Sequence, residues 1–269
     1  MEKVGLVAGD GRLPVLFAKK AKKEGKDLVS VAITPEAKVD KLEGLVREVY
    51  QIGVGQLEKL INTLADKGIE KVVMLGSVNK EMLYQGVEMD QRFKKLIASL
   101  PDQSNDAILM GIVKEFERAG MEVVGQTEAL SEFVPKPGRL TNVEPTNRVK
   151  EDMDFGFEMA KEISKLDIGQ TVIVKNKAVM AVEGIEGTYK AIMRGGKLGN
   201  GEVVVAKVSK PDQDIRFDIP VVGLKTLNDL GEVEAKGLIV EAGKTLIIEP
   251  DKFVEKAEEL GITVVAKNK

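Results

Sequence analysis

Neither cysteine nor histidine occurs in the 269-residue chain. Without cysteine there is no disulfide, no thiolate zinc site and no cysteine nucleophile. Without histidine, a general base has to be Asp, Glu, Lys, Tyr or a metal-bound water. Any metal centre must be built from oxygen, which favours magnesium, manganese or calcium over zinc. An excess of basic charge is missing too: 40 Lys and Arg stand against 43 Asp and Glu, for a net charge of −3. That balance gives no electrostatic case for a nucleic-acid partner. No window approaches about 18 uninterrupted apolar residues, so nothing is expected to span a bilayer. The opening residues lack a basic segment followed by a long apolar stretch, so they do not read as a signal peptide. The expectation is a cytoplasmic protein, with peripheral membrane contact left open.

What is present is a chain with 43% hydrophobic residues, enough for one large domain or two modest ones. In the first half, short apolar runs at Val4 to Ala8, Leu28 to Ile33, Val49 to Ile52, Val72 to Leu75 and Met121 to Gly125 read as strands. Helical patterns lie among them, the clearest over Gln56 to Lys67, where Leu57, Leu60, Ile61 and Leu64 recur at helical spacing. Such alternation predicts α/β architecture with a mostly parallel, doubly wound sheet over residues 1–130. Between Ser131 and about Lys150 the prolines 135, 137 and 145 break regular structure, and 131–150 is expected to be a linker. Residues 151–269 read as a mixed α/β domain. It has a helix from about Asp152 to Lys165 and a tight hairpin at Asn176-Lys177. The runs Leu238 to Val240 and Leu246 to Ile248 look like a strand pair.

Several segments could carry chemistry. Gly9-Asp10-Gly11-Arg12 joins a first strand to a first helix, where backbone amides and the helix dipole suit a phosphate and Arg12 adds a donor. Gly76-Ser77-Val78-Asn79-Lys80 follows the fourth strand, at the end where an open parallel sheet binds ligands. Both also read as ordinary βα turns. Asp102, Ser104 or Asn105 would cap the following helix, whose first turn holds Asp106. In Glu183-Gly-Ile-Glu186-Gly187-Thr188 a strand turns into a helix; Thr188 can cap or bind phosphate, and Glu183 and Glu186 sit where a metal might be held. The strongest segment runs from Lys207 to Pro220. If extended, it points Asp212, Asp214, Arg216 and Asp218 to one side. Like charges crowded on one face ask for a cation, with Arg216 and Lys210 left for phosphate oxygens.

Together these segments resemble the LpxI-type UDP-2,3-diacylglucosamine pyrophosphatases, almost end to end. The matching motifs are G-L-x-A-G-x-G-R-L-P at Gly5 to Pro14, G-x-V at Gly76 to Val78 and D-x-G-Q at Asp167 to Gln170. E-x-I-E-G-T at Glu183 to Thr188 and K-P-x-Q-D-x-R-x-D-x-P-x-x-G at Lys210 to Gly223 complete the set, and these two are the most specific. Two positions depart from the family pattern: Asp10 stands where many members carry Asn, and Tyr189 where Asp is common.

The resemblance implies an N-terminal Rossmann-like domain, a distinct C-terminal domain and a magnesium-dependent hydrolase, with manganese as a substitute. It would convert UDP-2,3-diacylglucosamine to UMP and 2,3-diacylglucosamine 1-phosphate in lipid A assembly, and a homodimer would suit the family. The essential acid of the family falls on Asp218. Asp214 and Arg216 are expected beside it, with Asp218, Asp214, Glu183 and Glu186 as candidate metal ligands. Gly9, Asp10, Gly11, Arg12, Gly76, Ser77, Gly187, Thr188 and Lys210 are candidates for substrate and phosphate. Two other readings stay open: a different nucleotide-sugar hydrolase or transferase on the same scaffold, and a non-catalytic nucleotide-binding protein. The crowded aspartates speak against the second.

Overall fold

A computed structural model describes residues 2–78, 88–102, 104–211 and 213–268. The chain divides into two compact units, residues 1–129 and 130–269.

The first unit begins with β1 (Lys3–Ala8), α1 (Leu13–Lys23), β2 (Asp27–Ala32), the single turn α2 (Val39–Leu42) and β3 (Glu48–Gln51). It continues through α3 (Leu57–Asp66), β4 (Lys71–Leu75), α4 (Gln91–Ser99), α5 (Asn105–Arg118), β5 (Glu122–Val123) and α6 (Gln126–Ala129). The five strands pair in the order β3-β2-β1-β4-β5, all parallel. β1 is central and its Val4, Leu6, Val7 and Ala8 are all buried, as a strand covered on both faces requires. The helical spacing of α3 buries Leu57, Leu60, Ile61 and Leu64, the four residues that predicted it. Of the capping candidates before α5, Ser104 serves: its hydroxyl accepts from the Ala107 amide at 3.2 Å.

The second unit opens with a 3₁₀ turn (Ser131–Phe133), followed by β6 (Gly138–Arg139), α7 (Asn147–Lys165), β7 (Thr171–Lys175), β8 (Ala178–Val182), α8 (Thr188–Gly199) and β9 (Val204–Lys207). β10 (Val221–Val222), α9 (Leu224–Glu232), β11 (Gly237–Glu241), β12 (Leu246–Ile247), α10 (Pro250–Glu259) and β13 (Thr263–Lys267) complete it. Six strands pair in the order β6-β13-β11-β9-β7-β8. β9, β11 and β13 run parallel, while β6, β7 and β8 are antiparallel to their neighbours. The core forms two apolar groups, one containing Val149, Met153 and Phe157 of α7, the other Ile192, Leu227, Leu230 and Phe253 of α8, α9 and α10.

Three expectations differ from this arrangement. Residues 131–150, expected as a linker, belong to the second unit. Gly138 and Arg139 pair with β13, and α7 starts at Asn147 because Thr146 caps it by accepting from the Val149 amide at 3.3 Å. The runs around 238–240 and 246–248 do not pair with each other: β11 lies between β9 and β13, and β12 pairs with β10. Residues 213–220, expected to be extended, do not form a strand. Residues 215–217 form a turn and bend, and Asp218 adopts φ 58°. The hairpin turn at Asn176-Lys177 forms as expected. Both residues have positive φ, and Asp152 accepts from their amides at 2.9 and 2.6 Å.

Candidate functional site

In the first unit, the loops after β1 and β4 meet where the strand order reverses, the position at which open α/β sheets bind ligands. Gly9 and Asp10 donate to Leu75 O and Ser77 O at 2.9 and 2.8 Å, and Ser77 donates back to Asp10 O at 2.9 Å. Gly11 donates to the Asp10 carboxylate at 2.6 Å. Glycine is required for this approach: a Cβ on Gly9 would lie 2.5 Å from Ser77 O, and one on Gly76 2.5 Å from Asp10 O. The amides of Gly9, Asp10 and Ser77 are thus spent on holding the two loops together, and that of Gly11 on the Asp10 carboxylate within its own loop. A ligand here would meet Arg12 and the start of α1 instead. Asn79 and Lys80 lie outside the described residues.

In the second unit the polar centre is Lys207, the last residue of β9. Its Nζ donates to Thr188 Oγ1 at 3.0 Å, and Thr188 Oγ1 donates to Glu183 Oε1 at 2.6 Å. Burial pushes the Lys207 pKa down from its usual value, opposed by the charges of Glu183 and Asp218. Lys207 therefore gathers Thr188, Glu183 and Asp218 around one buried cation. The loops that shape this centre explain their motifs. A side chain at Gly169 would collide with the Glu183 carbonyl oxygen, and the glycine lets those two segments touch. Asp167 takes a positive φ of 55° and pairs with Lys210 at 2.5 Å. Gln213 Oε1 accepts from Ser209 Oγ at 2.7 Å and from the Lys210 amide at 3.1 Å.

Two proposed acids are engaged elsewhere. Asp214 faces Arg216 through a forked pair, with Nη2 to Oδ2 at 2.6 Å and Nε to Oδ1 at 2.9 Å. Hydrogen bonds from Arg216 hold its pKa below the usual range. Glu186 accepts from Arg194 at 2.5 Å and from the Gly184 amide at 3.0 Å. Its pKa is lowered by its own backbone N–H first and then by Arg194. Gly187 is the N-cap of α8 at φ 83°, without a side-chain cap. Asp212 lies outside the described residues.

The residue given no role from sequence is Lys207. Its signal was a lysine inside the apolar run Val203 to Val208.

Among the described residues, no three carboxylates gather into a ready metal cage. A magnesium ion needs only one or two protein carboxylates when phosphate and water supply the rest of its shell. Glu183 and Asp218 fit that lesser demand. Glu183 Oε2 is a buried oxygen without a hydrogen-bond partner, and Asp218 carries its charge near the same lysine. Asp214 and Glu186 fit it less well, because each is already neutralised by an arginine.

Fold and site define a two-domain α/β protein with a histidine-free lysine–carboxylate centre. The family models of the LpxI N-terminal domain and the LpxI C-terminal domain match residues 3–133 and 136–265. The UDP-2,3-diacylglucosamine pyrophosphatase LpxI of Caulobacter vibrioides is 31% identical over 98% of this chain and 97% of its own length. The chain belongs to the LpxI family. Solved structures resemble it only slightly. The biotin carboxylase subunit of pyruvate carboxylase has a TM-score of 0.28 at 15% identity, over 69% of this chain and 36% of that one. The Cj0485 dehydrogenase has a TM-score of 0.29 at 18% identity, over 61% of this chain and 64% of that one.

Proposed function

We propose that this protein hydrolyses the diphosphate of UDP-2,3-diacylglucosamine, releasing UMP and 2,3-diacylglucosamine 1-phosphate in lipid A assembly. The observation that carries this reading is the end-to-end match to a relative whose name states that activity. The chemistry of the second unit supports it. Diphosphate hydrolysis calls for charge neutralisation on non-bridging oxygens and an oriented water, and Lys207, Asp218, Glu183 and Thr188 offer both without histidine. Asp218 would orient or deprotonate the water. Arg216, forked onto Asp214, is a rigid donor on the same loop. Magnesium, or manganese in its place, would be held by Asp218 and Glu183. When bound it would neutralise phosphate oxygens and lower the pKa of a bound water.

An acylated substrate also suits the surface. Ile168, Ile185 and Ile215 are exposed on the three loops that carry Gly169, Glu183 and Asp218, and Ile185 is fully exposed. Among the described residues no helix is long and apolar enough to cross a membrane. We place the protein in the cytoplasm, meeting its lipid substrate at the membrane surface.

The test is UMP release from UDP-2,3-diacylglucosamine with magnesium, with manganese and with excess chelator, beside an unacylated UDP-sugar. Turnover of the acylated substrate that stops in chelator is expected. No turnover of it with either metal rejects the reading, and full turnover in chelator rejects the metal.

A further inference from the structure

We propose that Lys207 is a catalytic, substrate-contacting residue, holding a non-bridging oxygen of the diphosphate on N–H groups that have no acceptor among the described residues. This rests on the diphosphate-hydrolase reading above.

An ammonium group has three donors. Lys207 is 9% exposed, and among the described residues its Nζ has a single hydrogen bond, to the neutral hydroxyl of Thr188. The geometry of that contact is fixed. Thr188 sends its own proton to Glu183 at 2.6 Å, so it can only accept from Lys207. The other buried lysine of this unit makes the contrast. Lys161, 5% exposed, donates to Glu241 Oε2 and to Ser209 O, both at 2.9 Å. Lys161 is matched inside the fold by a carboxylate and a carbonyl. Burying a charge is costly unless it is paired and hydrogen-bonded, so a buried ammonium with spare donors has a ligand oxygen as its natural partner.

Position and charge agree. Lys207 ends β9, between β11 and β7, at the carboxyl end of a parallel run of strands. Glu183 and Asp218 are the charges it faces. In the reaction, the oxygen of water bonds to one phosphorus while the bridging P–O bond breaks. The electron pair leaves with the other phosphate, and the water proton passes to a carboxylate or to solvent. In its charged form Lys207 would neutralise the oxygen on which charge builds, which is the role of a preorganised donor in a dry site.

The experiment compares wild type with Lys207→Met, a side chain of similar length without charge. Melting curves, UMP release and UDP affinity by calorimetry are measured on each. We expect a folded protein with a lower melting temperature, because Glu183 and Asp218 lose the cation they face. We expect kcat/KM to fall by about 10²–10³ and UDP affinity to fall by about tenfold or more. UDP affinity and turnover both within about threefold of wild type would overturn the proposal. If Lys207→Met does not fold, a crystal structure of the wild type with UDP decides. Nζ within about 3.5 Å of a phosphate oxygen supports the contact, and a greater distance rejects it. Should the wild type fail to turn over UDP-2,3-diacylglucosamine, the activity reading fails, while the UDP arms still judge Lys207.

Discussion

Gln213 ties the backbone of Asp218 to the start of its own loop. Its Nε2 donates to the Asp218 carbonyl, while its Oε1 accepts from Ser209 and Lys210. The loop is closed around a residue at φ 58°, a conformation that Asp and Asn accept more readily than other side chains. Asp218→Asn therefore isolates the carboxylate better than Asp218→Ala does. The Asn variant should lose about 10²–10⁴ in rate with little change in melting temperature. The Ala variant should lose as much and also melt lower, because the left-handed backbone costs a non-Asx residue about 1 kcal/mol. Single-turnover UMP release beside melting curves checks both. Near-normal turnover in Asp218→Asn would remove Asp218 from the chemistry.

The two glycine contacts of the first unit make a second prediction. Gly9→Ala has to push Ser77 away, since its Cβ would lie 2.5 Å from that carbonyl. Forced overpacking of this kind costs about 1–3 kcal/mol. Gly11→Ala meets nothing within 4 Å and carries only the penalty of φ 109°. Gly9→Ala should thus speed amide exchange at Ser77 and Asp10, the bridged pair, while Gly11→Ala leaves that bridge protected. Equal exchange in the two variants would show that the loops are held by something other than this close approach.

Glu115 gives a pH dependence remote from the site. Its largest influence is burial, which raises its pKa, but hydrogen bonds from Arg92 and Arg118 outweigh burial and the net shift is downward. Arg92 Nε reaches its carboxylate at 2.6 Å and links α4 to α5. A carboxyl whose folded pKa is lowered binds fewer protons when folded. Its contribution is therefore present above the unfolded value of 4.5 and lost as pH falls through the lower folded value. Wild type should lose its stability margin over Glu115→Gln as pH drops below about 4.5. Melting curves of the two proteins from neutral to acid pH measure this. A margin that stays constant or grows in acid would contradict the sign.

The first unit was legible because local pattern and tertiary role agree there. In α3 the four periodic apolar residues are the buried ones, and the apolar runs at Val4, Leu28 and Val72 become the adjoining strands of one parallel sheet. Strand pairing in the second unit was not legible. β11 and β12 are both short apolar runs, and such runs do not encode which neighbour they join. The site shows the same division. Acid-rich motifs pointed to Asp214 and Asp218 together, on the assumption of an extended chain. The turn instead folds Arg216 back onto Asp214 and leaves Asp218 near Lys207. Lys207 was hard to see because a lysine at a strand end ordinarily faces solvent, whereas this one is buried and meets Thr188 at the start of α8.

Thr188 is the pivot between the buried lysine and the half-buried Glu183, and its substitution tests whether the three act as one unit. Thr188→Val keeps the branched shape of the side chain and removes the hydroxyl. Lys207 then loses its acceptor and Glu183 Oε1 its donor, with Glu183 Oε2 already lacking a partner. Leaving buried polar groups unmatched costs about 1–3 kcal/mol, so the variant should melt lower, whereas Thr188→Ser should stay close to wild type. If the hydroxyl works through Lys207, the turnover lost in Thr188→Val should not add to that lost in Lys207→Met. The double variant should then resemble Lys207→Met alone. Melting and UMP release on the full cycle of four proteins separate the cases. Fully additive losses would mean that Thr188 acts independently of the lysine, and a Thr188→Val protein with wild-type stability and turnover would dissolve the triad.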